Sequence, residues 1–544
     1  MTSGLRGAAL VRDVVRRADD PDDPLTRVGA LAAVTPTDVE LVLHPQSSAG
    51  AAGEPGGSAA PIAVGIGASP GVATGVAVFD TWRALDAFDE GTDVILVRPE
   101  TSPADEPAMA VAVGVLTSSG GLTSHAAVVA RGRGLPAVCG ADSLLVGERS
   151  FTTATGLVVH EGEAVSVDGS TGEVFAGAVA IDDDDVPPEL EVLLGWADGV
   201  RADRLAVRAN ADTPADATLA RSFGAEGIGL CRTEHLFLGP DRLPVVQRMI
   251  LADGPDAESA ALDELHELQR SDFVELLEAM DALPVTVRLL DPPLHEFLPD
   301  VDELVADEAR GELGVEGAAL LAAARRWHEH NPMLGVRGVR LAILKPALYR
   351  MQVRALVEAA LDRIDAGGAP RVQVMIPLVS TAAELALVRG WVLDEASRVL
   401  GDRRDELDLR VGAMVETPRA ALRAGDLAGI ADFLSLGTND LTQMVFGFSR
   451  DDVGRILDTY LGQGLLADDP FATLDVDGVG ELVAGAVERA RTGRPGLEIG
   501  VCGEHGGDPR SIAFFLAAGL DYVSCSPFRV PVARLEAGRS ALER

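Results

Sequence analysis

The chain has 544 residues, enough for two or three domains, and a net charge of -38. That acidity argues against a nucleic-acid-binding surface, which needs clustered lysine and arginine. Four cysteines without paired spacing argue against a disulfide framework or a zinc site, and no apolar run reaches the ~18 residues of a membrane span.

The N-terminal stretch "MTSGLRGAALVRDVVRRADD" has no apolar core followed by a cleavage site, so the cytoplasm is the expected location. Aromatic residues make up 4% of the chain, so its cores must be built mainly from Ala, Val and Leu. Lys345 is the only lysine, and it sits in "AILKPALY" with no glycine loop. A P-loop, which needs lysine within GxxxxGK[ST], is thereby excluded. Any phosphate binding must rest on arginine, backbone N–H groups and metal.

Residues 1–61 are rich in Ala, Gly, Pro and Asp and read as a partly flexible connector ending in the linker "SSAGAAGEPGGSAAP", with room for short helices before it but no independent core. Residues 62–180 read as one α/β domain. In it "GVATGVAVF", "DVILVRPE" and "AVGVLTSS" are predicted strands, and "AVSVDGSTGEVFAG" is a predicted hairpin turning at Asp168-Gly169-Ser170. The acidic, proline-bearing segment "IDDDDVPPELE" opens a predicted hinge linker over 181–200.

Residues 201–544 contain eight apolar strand-like runs, at 206–210, 227–232, 285–291, 372–377, 409–416, 433–440, 498–505 and 522–528. Most are followed by a helical pattern, which predicts a parallel (β/α)8 barrel. Extra material around 235–284 and 292–370 accounts for its length.

Polar residues recur near the C-terminal ends of these runs, the face where a barrel puts its active site. Arg208, Arg232 and Arg288 lie on the first three, Glu416 ends the fifth, and Asn439 and Asp440 end the sixth. Cys502 and Glu504 lie late in the seventh. Arginine forks match phosphate and carboxylate oxygens. Glu416 and Asp440 offer hard oxygen ligands that suit Mg²⁺. A thiol such as Cys502 carries a proton at neutral pH. Together they predict a site for a small phosphorylated acid. Cys231 and Cys525, by contrast, read as core residues.

His125 stands behind a glycine pair in "SSGGLTSHAAVVARGRG", where a helix is predicted to begin. A capped helix does not require histidine there. A helix N-terminus does favour a bound phosphoryl group, and imidazole is a competent nucleophile for one. Spacing alone leaves both possibilities open.

These segments resemble a known family. "GGLTSHAAVVARGRGLPAVCG" is similar to the phosphohistidine motif of phosphoenolpyruvate-utilising enzymes. "GIGLCRTEHLF", "LLDPPLHEFLP", "NPMLGVRGVRL", "GTNDLTQMVFGFSRDD" and "EIGVCGEHGGDPRSIAFFLAAGLDYVSCSPFRVPVARL" resemble its pyruvate phosphate dikinase branch, over roughly residues 60–544. The resemblance implies a swivelling phosphohistidine domain, with His125 the phosphorylated residue, followed by a barrel that binds phosphoenolpyruvate or pyruvate. It assigns Arg208, Arg232 and Arg288 to the phosphoryl group, with Arg337 a weaker candidate, and Glu416 and Asp440 to Mg²⁺. Gly437, Thr438 and Asn439 would line the substrate, Cys502 would protonate the enolate, and Thr123 matches a regulatory phosphorylation site of plant members. A homodimer formed through the barrel is also implied.

The branch carries an N-terminal ATP-grasp domain, for which the first 60 or so residues are too short, so a separate ATP-grasp partner is expected. "LTRVGALAAVTPTDVELVLHP" resembles the connector that follows that domain. Two other functions stay open: an enzyme I-like phosphotransferase feeding a carrier protein, and a non-catalytic phosphoenolpyruvate-binding regulator. Enzyme I places a helical carrier-binding domain beside its histidine domain, and there is no room for one between Pro61 and Gly121.

Overall fold

Each of the eight apolar runs in the C-terminal part contains a strand, and the eight strands close into a barrel. The structure is a computed structural model. It describes all residues except 1–4, 45, 48–59, 103–104, 122–123, 180, 183–185, 238, 240–241, 253, 451 and 543–544. We number the barrel strands β1 (Ala206–Asn210), β2 (Ile228–Arg232), β3 (Pro284–Arg288), β4 (Arg371–Ile376), β5 (Asp408–Val415), β6 (Phe433–Leu436), β7 (Glu498–Val501) and β8 (Tyr522–Cys525). All neighbours are parallel, and β1 closes the ring on β8. The strands are apolar on both faces because one face fills the interior and the other meets helices. Val372, Val374 and Ile376 of β4 are fully buried, as are Val285 and Val287 of β3.

Several predicted runs extend past the strands at their C-terminal ends. Residues 437–440, 502–505 and 526–528 have left the sheet. The chain turns there at Gly437, Gly503 and Pro527, so the polar residues of those runs stand on loops and helix starts above the barrel. The extra material forms helices. Leu243–Leu251 and Pro255–Ala279 lie between β2 and β3. Val301–Arg310, Val315–Trp327, Val339–Leu344 and Pro346–Asp365 lie between β3 and β4.

Residues 63–176 build an eight-stranded mixed sheet. Its centre is parallel, with Val72–Val78, Val94–Arg98, Gly114–Thr117 and Ala137–Cys139 side by side. Ala164–Asp168 and Glu173–Ala176 form the antiparallel hairpin expected from their sequence. Val94 and Leu96 pack on one face of the sheet, while Ile95 and Val97 pack on the other. The helix His125–Arg133 covers the first of these faces with Ala126, Ala127 and Ala130.

Two expectations are corrected. Residues 1–61 are not simply a connector. Gly7–Asp19, Arg27–Ala33 and Pro36–Leu43 are helices that share an apolar cluster with Pro188–Arg201 and the C-terminal helix Val530–Leu542. Leu10, Val11, Val14 and Val15 recur at helical spacing and are buried in it. The predicted hinge over 181–200 is likewise helix from Pro188 onward. Leu190, Leu193, Leu194 and Ala197 form the stripe that docks it, and Arg534 bonds its Glu191 and Asp198. What remains of the linker begins with Ile181–Asp182, which pairs antiparallel with Gln46–Ser47. Among the described residues, no helix is long and apolar enough to cross a membrane.

Candidate active site

A cavity of about 1020 Å³ opens at the C-terminal end of the barrel, lined among others by Arg232, Arg288, Arg337, Asp291, Glu416 and Asp440. Arg232 and Arg288 are the last residues of β2 and β3, and Glu416 follows β5 directly. Asp440 sits in the first turn of the helix Thr438–Phe446. Arg337 comes from the loop before the helix Val339–Leu344.

The charges are interlocked. The Arg288 guanidinium donates to Glu234 and lies 2.9 Å from an oxygen of Asp291. Arg337 donates to Asp291 from Nε at 3.2 Å and through Nη2, and Nη2 also reaches Asp440 Oδ2 at 3.0 Å. Arg232 pairs with Asp212 at 3.2 Å, and Asp212 also bonds His235 Nδ1 at 2.9 Å. Burial alone would raise the Asp291 carboxyl, but Arg288 and Arg337 outweigh it and hold it below the usual range. Arg232 is held cationic by Asp212. A cavity with three fixed guanidinium groups is built to receive a polyanion.

Glu416 is 2% exposed. Burial, then the neighbouring Asp291 and Asp440 charges, push its carboxyl well above the ordinary value. Ligand oxygens of Asp291, Glu416 and Asp440 lie within 4.8 Å of one another. Asp291 is bracketed by two arginines, which leaves Glu416 and Asp440 as the pair fitted to a hard divalent cation. Glu416 Oε1 accepts the backbone N–H of Leu378 at 2.6 Å. Leu378 has φ 55°, in the left-handed region a leucine rarely enters, and is fully buried. A conformation of this kind costs about 1–3 kcal/mol and persists only where its surroundings fix it. Here it aims one donor at one carboxylate oxygen. Gly437 touches the same side chain, since a Cβ there would stand 2.9 Å from Glu416 Cβ.

Cys502 also lines the cavity and is 3% exposed. Burial pushes its thiol up to about 11, so it holds its proton at neutral pH. Only the thiolate is alkylated. The rate of Cys502 modification by iodoacetamide, followed by peptide mapping, is therefore expected to rise about tenfold per pH unit between pH 7 and 10. A plateau near pH 8.5 would contradict the burial argument.

The sequence-predicted residues divide into groups. Arg232, Arg288, Glu416, Gly437, Asn439, Asp440 and Cys502 meet in the cavity, as does Arg337. Thr438 does not line it. Its hydroxyl is fully buried against His505 Nδ1 at 2.8 Å. Arg208 is the larger correction. It is mid-strand, not at a strand end, and its guanidinium bonds Gln373 at 3.0 Å and Glu498 at 2.7 Å. It also lies 4.0 Å from the centroid of Tyr522. Glu498 and Tyr522 open β7 and β8, so Arg208 belongs to the lower interior of the barrel. Arg208→Met is expected to leave ligand affinity at the cavity within twofold and to lower stability by about 1–3 kcal/mol. Calorimetric titration and a urea melt check the two halves.

Asn210, which does end β1, supports the cavity floor. Its Nδ2 donates to the Cys502 carbonyl at 3.1 Å, and its Oδ1 accepts from Ser524 at 2.6 Å. Sequence reasoning singled out neither Asn210 nor Asp291. The available signal was position: Asn210 is the last residue of its strand, and Asp291 follows Arg288 by three residues.

His125 is the first residue of its helix. Ser124 caps that helix by accepting from Ala127 N–H at 3.3 Å, and His125 Nδ1 lies 3.1 Å from Thr101 Oγ1. The other end of the helix rests on the barrel at Phe528, just past β8, on the face that bears the cavity. Arg131 is half-buried there. Burial and Arg529 pull its guanidinium down to about 10, against the opposing pull of Glu504. Thr123 lies outside the described residues.

A two-domain chain of this kind, with a capped histidine helix docked on a barrel whose mouth gathers arginines and carboxylates, has clear relatives. Residues 196–542 match the PEP-binding domain of PEP-utilising enzymes, and residues 90–172 match their mobile domain. The chain belongs to the PEP-utilising enzyme family. It is similar to pyruvate, phosphate dikinase of Rhizobium meliloti (strain 1021), with 49% identity over 95% of the chain and 57% of that protein. It is also similar to the chloroplastic pyruvate, phosphate dikinase 1 of Arabidopsis thaliana, with 49% identity over 94% of the chain and 52% of that protein. The corresponding rice protein gives 50% identity over 94% and 54%. The chain thus spans a little over half the length of the curated relatives it matches.

Proposed function

We propose that the chain is a Mg²⁺-dependent phosphotransferase of the pyruvate phosphate dikinase type, moving a phosphoryl group between phosphoenolpyruvate and His125. The observation that carries this is the meeting of Arg232, Arg288 and Arg337 with Asp291, Glu416 and Asp440 in one cavity. The three guanidinium groups take the phosphoryl and carboxylate oxygens. Glu416 and Asp440 would hold Mg²⁺, which when bound would supply positive charge to offset the anionic substrate.

In the direction away from phosphoenolpyruvate, an imidazole nitrogen of His125 attacks phosphorus. The N–P bond forms as the bond from phosphorus to the enol oxygen breaks, and pyruvate enolate is left. The Cys502 thiol then gives its proton to the methylene carbon, and pyruvate leaves. Thr101 Oγ1, 3.1 Å from Nδ1, supports Nε2 as the attacking nitrogen. Transfer of this kind is mostly positioning and charge neutralisation.

Phosphohistidine then meets an ATP-grasp site outside these 544 residues, after the domain turns about its connectors. Pairing of two copies through the barrel and a cytoplasmic location belong to the same reading. The test is to incubate the chain with phosphoenolpyruvate carrying labelled phosphorus and Mg²⁺, then map the label. Acid-labile label on the peptide bearing His125 is expected. A chain that binds phosphoenolpyruvate yet takes no label is a regulator, and label that passes to a carrier protein but never to nucleotide indicates the enzyme I-like reaction.

A further inference from the structure

The helix that carries His125 touches the barrel at a closely fitted contact. Gly134 ends that helix in the left-handed conformation, φ 65°. A Cβ on Gly134 would stand 2.6 Å from the ring of Phe528, closer than two carbons approach. The Phe528 ring is backed on the barrel side by Phe223, with centroids 5.9 Å apart. On a third side it faces His44, with centroids 6.4 Å apart. His44 in turn lies under the sheet of the His125 domain, 3.5 Å from where a Cβ on Gly71 would be. One aromatic ring therefore joins the barrel, the N-terminal helices and the end of the histidine helix.

We propose that Phe528 is the seat on which the His125 domain docks, and that Gly134 is a positioning residue whose missing side chain sets how closely that domain approaches the barrel. This rests on the phosphotransfer reading for its consequence, not for the contact itself. His125 lies nine residues before Gly134, about 13 Å along the helix at 1.5 Å per residue. Lifting the seat by the thickness of one methyl group shifts or tilts the whole helix, and a misplacement of about 1 Å at a reacting nitrogen costs about 10²-fold.

Gly134→Asn is the informative variant. Asparagine tolerates the left-handed backbone but brings a Cβ, so it separates contact with the ring from backbone strain. We expect labelling of His125 from phosphoenolpyruvate to slow about 10- to 100-fold, while phosphoenolpyruvate affinity at the barrel, measured by calorimetry, stays within twofold. Amide hydrogen exchange should rise at Phe528 and its neighbours, which the seated domain covers. In Gly134→Asn/Phe528→Ala the new side chain enters the space left by the ring, so that double variant should label faster than Gly134→Asn alone.

Wild-type exchange around Phe528 in Gly134→Asn, or labelling at the wild-type rate, overturns the proposal. So does a double variant no faster than the single. A wild-type chain that takes no label sinks the phosphotransfer reading instead, and the exchange comparison still decides the seat.

Discussion

Arg288→Met is expected to slow phosphoryl transfer from phosphoenolpyruvate to His125 by about 10²–10³-fold, and to destabilise the barrel as well. Arg288 is 8% exposed and carries Glu234 on one side and Asp291 on the other. Methionine preserves most of the packed volume but leaves two carboxylates in a buried site with one fewer cation. Breaking a buried pair in this way costs about 3–5 kcal/mol. The rate loss has a separate origin: a preorganised cation is missing where charge builds up in the transition state.

Arg288→Lys should fall between the two, because an ammonium is a point charge and cannot span both carboxylates as a fork does. Rapid-quench labelling and a denaturant melt measure the two losses independently. A methionine variant that transfers at the wild-type rate would remove Arg288 from the site.

Glu416→Gln is expected to weaken divalent cation binding by about 100-fold or more, with the fold retained. Its carboxylate is buried beside Asp291 and Asp440, and ligand oxygens of the three lie within 4.8 Å. Glutamine keeps the shape and can still accept the Leu378 N–H, so the backbone there should hold. What would be lost is one of the two anionic ligands proposed for the cation.

Asp291→Asn should differ in kind. Asp291 is engaged by Arg288 and Arg337, so its loss should disturb those two side chains more than it disturbs the metal. Mn²⁺ titration followed by electron paramagnetic resonance distinguishes these cases. Equal effects of the two substitutions on Mn²⁺ affinity would show that all three carboxylates are ligands.

The sequence carried most of the barrel and much of the site, for a physical reason. Parallel strands buried on both faces read as continuous apolar runs, and their polar ends are then conspicuous. Arg232, Arg288 and Glu416 were legible in that way. Arg208 misled because a run shows which residues are polar, not how far along the strand each one sits. Two residues short of the strand end was enough to turn its guanidinium toward Glu498 rather than the cavity. Arg337 was undervalued for the opposite reason: it comes from a loop, where strand-end logic gives no weight.

Asp291 stood at the end of a predicted strand run, and its role depends on two arginines that only the fold brings to it. The N-terminal helices were legible only as short helices without a core of their own, because their apolar stripe is short. Their partners, Pro188–Arg201 and Val530–Leu542, are distant in sequence.

The pairing of Gln46–Ser47 with Ile181–Asp182 has a bearing on how fast such a domain finds its target. The chain enters and leaves the eight-stranded domain at one place, and His44, just before that place, already lies against Phe528. A body tied by one flexible thread explores a volume set by the thread. A body whose two tethers are zipped together at their base is confined to arcs about that base. Under the phosphotransfer reading, the imidazole of His125 would be confined to such arcs, which would raise its effective concentration at its target. Lengthening one connector without the other would unzip the base and return the search to three dimensions.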